Sequence, residues 1–485
     1  MSEIANLAPK AVWKIFSDLC DIPRPSKKEQ KAVEYAKNFG EKLGLETIVD
    51  EVGNVIIKKP ATPGMEDRKT VVFQGHLDMV PQKNSDTDHD FEKDPIQAYV
   101  DGDWVTAKGT TLGADNGMGV AAGLAVLEAN DVEHGPVEVL LTIDEETGMT
   151  GANALKPGLL DADILINLDS EDEGELYIGC AGGVDTNVKF HYQEEKVPAD
   201  TTAFEVQVKG LKGGHSGMDI SLGRGNACKA LNRILFTSGK TTGMRLSTID
   251  AGSLRNAIPR EATAIVLVPN QNIGEFKSFV QESGQVISRE LATTEPDMKV
   301  ELKEVEMPAF VIDTKTQNNL LKAVYGCPNG VMRMSADMEG LVETSTNLAV
   351  IKTRDGYISV ETLQRSAVDT AKEDLATMIR NIFELAGAEV VHDGAYPGWQ
   401  PNMESPILKT MLDTYEGKWG KRPEIKAIHA GLECGILSQP YPHLDMISCG
   451  PTIRYPHSPD EKVNIETVQK FYDFIVETLK NIPKK

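Results

Sequence analysis

A chain of 485 residues has the length of two or three domains and material for a large core, and its 40% hydrophobic and 25% charged residues are those of an ordinary globular protein. Its 73 acidic against 50 basic side chains leave a formal charge of −23, which repels phosphate backbones and anionic headgroups, so nucleic acid and membrane are excluded as expected partners. No apolar run approaches the roughly 20 residues that span a bilayer, no basic and apolar leader opens the sequence, and six cysteines with no C-x-x-C pair point to a reduced cytoplasm.

In chain order, residues 28–43 place Ala32, Val33, Ala36, Phe39 and Leu43 at helical spacing. Three short runs rich in Val, Ile and Leu follow, at 70–74, 137–143 and 163–168, and each ends in polar residues. Such runs read as buried strands. Between the first two, 117–129 is a helix of small residues suited to close packing on a sheet. This alternation predicts an α/β layer.

From about Val188 the texture changes. Residues 204–208 alternate with period two, as does part of 262–268, while 225–236 and 273–291 read as helices. Residues 348–363 read as a hairpin turned at Arg354, Asp355 and Gly356. Helices on an antiparallel sheet would make an independent α+β unit. A helix at 369–385 leads into a glycine- and proline-rich passage at 392–401, to which no element is assigned. The α/β pattern resumes through 425–427, 445–448 and a final helix from Ile465. No internal repeat or low-complexity tract occurs.

Five polar clusters stand at the ends of apolar runs, where loops of α/β sheets collect functional groups. In the first, Gln74 to Asp78, residues two apart on a strand share a face, so Asp78 can reach the far nitrogen of His76 and fix its tautomer. In the second, glycines flank Asp115 and permit close approach to a ligand. The third is Asp144, Glu145 and Glu146: three acids crowded at a strand end call for a cation, and neighbouring side chains diverge, so one can bind metal while another moves a proton. The fourth is Asn167, Asp169 and Ser170, and the fifth holds His457 between prolines. Each alone has a plainer reading: a structural histidine, a helix cap at Asp115 or Asn116, a solvated acidic loop. Together they form an N/O donor set suited to Zn²⁺, Co²⁺ or Mn²⁺.

The pattern H-x-D, G-x-D-x-G, E-E, D and a late H resembles that of the dinuclear metallopeptidases related to carboxypeptidase G, aminoacylase and carnosinase. It is most similar to the bacterial aminoacyl-histidine (Xaa-His) dipeptidases, along the whole chain, including the runs at 213–217, 254–260, 394–401 and 429–435. The resemblance implies an α/β zinc-peptidase domain, with a mixed sheet between helices, at 1–186 and 391–485, interrupted by an α+β lid and dimerisation domain at 187–390. It implies two divalent ions per subunit, zinc foremost, one held by His76, Asp115 and Asp169 and the other by Asp115, Glu146 and His457. Glu145 becomes the general base, Asp78 the clamp on His76, and the Asp115–Asn116 peptide is expected to be cis. His215 would stabilise the oxyanion from the partner subunit of a homodimer, or serve as a structural hydrogen bonder. Asn256 and Arg365 would grip the substrate's carboxylate, and Glu433 would hold its ammonium or pack structurally. The expected activity is hydrolysis of dipeptides, with histidine preferred at the second position. The alternatives are an aminoacylase or deacetylase, a tripeptidase, and a non-catalytic binding protein stabilised by metal.

Overall fold

The computed structural model describes residues 3–485, and its contacts divide them into two compact units. The first takes the chain up to Gly179 together with Pro401–Ala427 and Leu432–Lys485; the second takes Cys180–Gln400 and Ile428–Gly431.

The first unit is built on an eight-stranded mixed sheet, in the order Glu46–Val49, Val55–Lys59, Val137–Thr142, Val71–His76, Ile164–Asn167, Asp445–Ser448, Glu175–Cys180, Glu424–Ile428. Its centre is parallel. Val71–His76 pairs with Val137–Thr142 on one side and Ile164–Asn167 on the other, and Asp445–Ser448 continues in the same direction. Every residue of Val71–His76, Val137–Thr142 and Ile164–Asn167 is buried, which is why the sequence shows continuous apolar runs there and no alternation. Parallel strands end on one edge, so the polar residues that close them gather together. Helix Ala114–Glu128 packs on Val71–His76 and on helix Lys10–Cys20. Its small residues make the approach possible: a Cβ on Gly117 would lie 2.9 Å from the Phe16 ring, and one on Gly123 would touch Val139 at 3.4 Å.

The second unit holds an antiparallel sheet in the order Lys299–Glu304, Thr201–Lys209, Ala262–Pro269, Arg245–Ala251, Val342–Arg354, Tyr357–Ser366, Gly182–His191, Glu389–Tyr396, with Gly330–Met334 added beside Val342–Arg354. Helices Ala227–Thr241, Ile273–Glu290, Thr314–Gly326 and Asp369–Leu385 close its core, in which Phe204, Phe276 and Phe383 are fully buried. The hairpin turns at Asp355 and Gly356, the latter at φ 76°. Both its strands run past the apolar stretch into Ser345, Asn347, Gln364 and Arg365, all buried. The passage after the helix is a strand, Glu389–Tyr396, where no element was expected, and it pairs with Gly182–His191. The glycine pair at the start of that partner strand is a packing requirement, since a Cβ on Gly183 would stand 2.6 Å from the Tyr396 ring. Among the described residues no helix is long and apolar enough to cross a membrane.

Candidate metal centre

His76 closes the central strand, almost fully buried, and its ring faces three carboxylates. Nε2 lies 3.2 Å from Asp115 Oδ1 and 3.4 Å from Asp169 Oδ1, while Nδ1 lies 3.4 Å from Asp78 Oδ1. The other oxygen of Asp115 is 3.2 Å from His457 Nε2, which is also 2.9 Å from Glu146 Oε2. Four groups of possible donors have their atoms within 4.8 Å of one another among the described residues; two of them, His76–Asp115–Asp169 and Asp115–Glu146–His457, share Asp115, and the others are His76–Glu145–Glu146 and Glu29–Asp78–Asp144. Donors about 2.0–2.1 Å from a tetrahedral zinc ion stand roughly 3.3–3.4 Å apart, close to the separations seen here.

The donor chemistry fits a pair of divalent cations. Asp169 Oδ1 and Glu146 Oε1 are buried and receive no hydrogen bond, although ionised carboxylate oxygens need donors or a cation. Burial, and then the charges of Asp115 and Glu146, push Asp169 up to about 7 against the pull of His76. Burial, followed by Asp169, Glu433 and Glu146, holds Glu145 well above the ordinary carboxylate range. Hydrogen bonds donated to the carboxylates of Asp115 and Glu146 raise His457 to about 11. Carboxyls that repel each other into protonation are stabilised as anions by a cation among them.

The groups behind the donors explain how they are aimed. Asp78 does more than face His76. Its Oδ1 accepts the N–H of Glu145 at 3.0 Å, and its Oδ2 accepts the N–H of Glu146 at 3.2 Å and the hydroxyl of Ser26 at 2.8 Å. Burial opposes its ionisation, but His76, the Glu145 amide and Ser26 outweigh that and hold its pKa near 2. The Glu145–Glu146 turn is further fixed by Asp144, which sits at φ 52° and accepts the hydroxyls of Thr147 and Thr150. Glu29 accepts the Asp144 N–H at 3.0 Å.

Asp115 breaks the first turn of helix Ala114–Glu128: its φ and ψ are −81° and 111°, and its peptide to Asn116 is cis. Asn116 donates to Leu168 O at 2.7 Å and accepts the His76 N–H at 3.3 Å, tying the loop to two strands. Glu461, buried, accepts the N–H groups of Leu112, Gly113, Ala114 and Asp115. Burial pushes its pKa up to about 7 and Asp115 adds to the rise, while the N–H groups of Gly113, Asp115 and Leu112 pull against it. Arg24, also buried, donates to the carbonyls of Leu77, Asp78 and Gly113. Beneath the centre, Glu433 Oε2 accepts from Gln74 at 2.6 Å and Thr142 at 2.8 Å, while its Oε1 has no donor.

The remaining predicted residues belong to the second unit. His215 pairs with Ala257 in a short two-stranded ladder, and its Nδ1 accepts the N–H groups of Gly217 at 3.2 Å and Met218 at 3.0 Å. Burial, then Arg365, lowers its pKa, so the ring is neutral with its proton on Nε2. Asn256 is exposed, and its carbonyl accepts the Ser216 N–H. Arg365 is buried, bonds Ser216 Oγ at 3.4 Å and Tyr396 Oη at 2.8 Å, and among the described residues no carboxylate pairs with it.

Sequence reasoning missed Arg24, Ser26, Glu29, Ser216, Tyr396 and Glu461 as supporting residues. Arg24 and Ser26 stand in an irregular prolyl segment with no periodicity to mark them. Asn116 entered as a possible cap and as the partner in the expected cis peptide, although its place between flanking glycines hints at close contact.

The sequence model of peptidase family M20/M25/M40 matches residues 72–481. The chain belongs to this family. This peptidase is 48% identical over 485 residues to the cytosol non-specific dipeptidase of Escherichia coli (strain K12), covering 100% of both chains. It superposes on the crystal structure of aminoacylhistidine dipeptidase from Vibrio alginolyticus with a TM-score of 0.94, at 50% identity over 100% of this chain and 99% of that one. The fold also matches aminopeptidase PepT from Bacillus cereus ATCC 10987, with a TM-score of 0.58 at 15% identity, covering 98% and 99% of the two chains.

Proposed function

We propose that this peptidase is a cytosolic dipeptidase working with two divalent cations, zinc by the donor set, on dipeptides with a free amino terminus and with histidine preferred at the second position. The observation that carries the reading is Asp115, whose two oxygens face the histidines of two separate donor groups. Two names add to it: those of the E. coli and Vibrio relatives, both dipeptidases.

Bound ions would polarise the peptide carbonyl and acidify water. The protein's own residues do the rest. Asp78 holds His76 in one tautomer and fixes the turn that carries Glu145 and Glu146. Glu145, outside the two groups that share Asp115, takes the proton of the attacking water and returns it to the departing amine. His215 offers Nε2–H to the carbonyl oxygen as it gains charge, in this reading from the partner subunit of a homodimer. Arg365, a buried cation with no carboxylate partner among the described residues, receives the substrate's carboxylate together with Asn256. Glu433, with one oxygen unpaired, receives the substrate ammonium.

The deciding experiment uses zinc-reconstituted protein on an Xaa-His dipeptide, its C-terminal amide and its N-acetyl derivative. Hydrolysis of the dipeptide, with kcat/KM falling sharply for both derivatives, is expected. Equal or better turnover of the N-acetyl form would replace this reading with that of an aminoacylase, and no turnover of any of them would leave a binding protein.

A further inference from the structure

Asp115 is asked to do something geometrically demanding. It presents Oδ1 to His76 at 3.2 Å and Oδ2 to His457 at 3.2 Å, and both angles follow from a backbone that is neither strand nor helix there. Its position must be imposed from outside, and a single side chain meets it. Glu461 Oε2 accepts the N–H of Leu112 at 2.8 Å and of Gly113 at 3.0 Å, and Oε1 accepts those of Ala114 at 2.8 Å and Asp115 at 3.2 Å. Successive amides that converge on one anion form a cradle with little rotational freedom. From the other side Arg24 Nη2 takes the Gly113 carbonyl at 2.5 Å, while its Nη1 takes those of Leu77 and Asp78 at 3.0 Å each. The loop is thus held between a buried anion and a buried cation, and the cation is also bonded to the strand end that carries His76.

We infer that Glu461 is a positioning residue for Asp115, setting through four backbone amides the placement of the carboxylate that both donor groups share. The inference rests on the reading of Asp115 as a ligand common to two cations. Glu461 itself touches neither donor histidine in a hydrogen bond or ion pair; it acts on the centre through the main chain.

The test is a titration of Zn²⁺ into metal-free protein against a chromophoric chelator, for wild type, Asp115→Asn, Glu461→Gln and Glu461→Asp, with circular dichroism to establish folding. Wild type should bind two equivalents and Asp115→Asn should weaken both. Glu461→Gln, which turns an acceptor oxygen into a donor facing two N–H groups, should lower zinc affinity by about 10–100-fold, the usual effect of changing a group behind a ligand. Glu461→Asp keeps the charge at a shorter reach and should recover part of the loss. A folded Glu461→Gln or Glu461→Asp protein that binds two equivalents with wild-type affinity overturns the inference. If Glu461→Gln does not fold, Glu461→Asp decides on the same criterion, and loss of folding in both assigns Glu461 to stability alone and overturns it too. If wild type binds fewer than two ions, or Asp115→Asn keeps both, the underlying reading of Asp115 falls and takes the inference with it.

Discussion

Replacing Asp78 by asparagine separates two accounts of that residue. If Asp78 only orients His76, losing its charge should act on one contact. The structure gives it four: His76 Nδ1 and the Glu145 N–H at Oδ1, and the Glu146 N–H and Ser26 hydroxyl at Oδ2. The new amide must place its NH₂ at one of these positions. At Oδ2 it opposes the Glu146 N–H, while Ser26 can rotate to accept; at Oδ1 it opposes the Glu145 N–H and leaves His76 without an anion. The first placement turns the Glu146 contact repulsive and leaves His76 a neutral acceptor; the second turns the Glu145 and His76 contacts repulsive. About two charge-assisted contacts are lost in each, at roughly 1.5–3 kcal/mol per contact. Expressed in the transition state, ~3–6 kcal/mol is a loss of about 10²–10⁴ in kcat/KM. Ser26→Ala removes a single donor and should lower kcat/KM about tenfold or less. The assay is release of free amino groups from an Xaa-His dipeptide at saturating zinc, with bound metal measured alongside. An Asp78→Asn enzyme within about threefold of wild type would refute the claim that Asp78 holds the turn.

Glu145→Gln should lose about 10²–10⁴ in kcat while keeping its metal, because the base is removed and the two donor groups sharing Asp115 are not; metal content and turnover measured on one sample check this. Phe276, fully buried and 5.7 Å centroid to centroid from Phe204, should cost about 3–5 kcal/mol of stability as alanine, read from urea unfolding. His429 carries a pH prediction. Burial, then Arg365 and His215, depresses its pKa from 6.5 to about 3, so between those values the unfolded chain holds a proton that the folded one refuses. Stability is therefore complete above pH 6.5 and falls as pH drops, by up to about 1.4 kcal/mol per unit from this group. Urea midpoints should fall less steeply from pH 7 to 6 to 5 for His429→Gln than for wild type; identical slopes would count against it.

The parallel centre of the first sheet was legible because strands buried on both faces leave short runs such as 137–143, dominated by Val, Leu and Ile although Glu138 and Thr142 lie among them. The helix at Asp369–Leu385 and the Asp355–Gly356 turn were legible for equally local reasons: amphipathic spacing and a residue at positive φ. Two strands were not. Gly182 and Gly183 look like a break in a pattern, and Glu389–Tyr396 carries Gly394 and stops just before Pro397, yet each glycine is small because another chain segment lies against it. The donors could be picked out because ligating residue types stood at strand ends. What aims them could not. Arg24 and Glu461 act on main-chain atoms 53 to 349 positions away, and a sequence does not mark which buried charge will serve a distant run of amides.

The glycines around the centre carry no functional group, yet they determine whether it can be moved elsewhere. A Cβ on Gly75 would collide with the Asn116 amide, one on Gly119 with the Leu168 carbonyl, and ones on Gly113 and Gly117 would come within 2.6 and 2.7 Å of the Arg24 guanidinium. Anyone transplanting the histidines and carboxylates onto another parallel sheet would have to carry these bare positions too. Without them the backbone stands off by the width of a methyl group, and the donors arrive at the wrong separation.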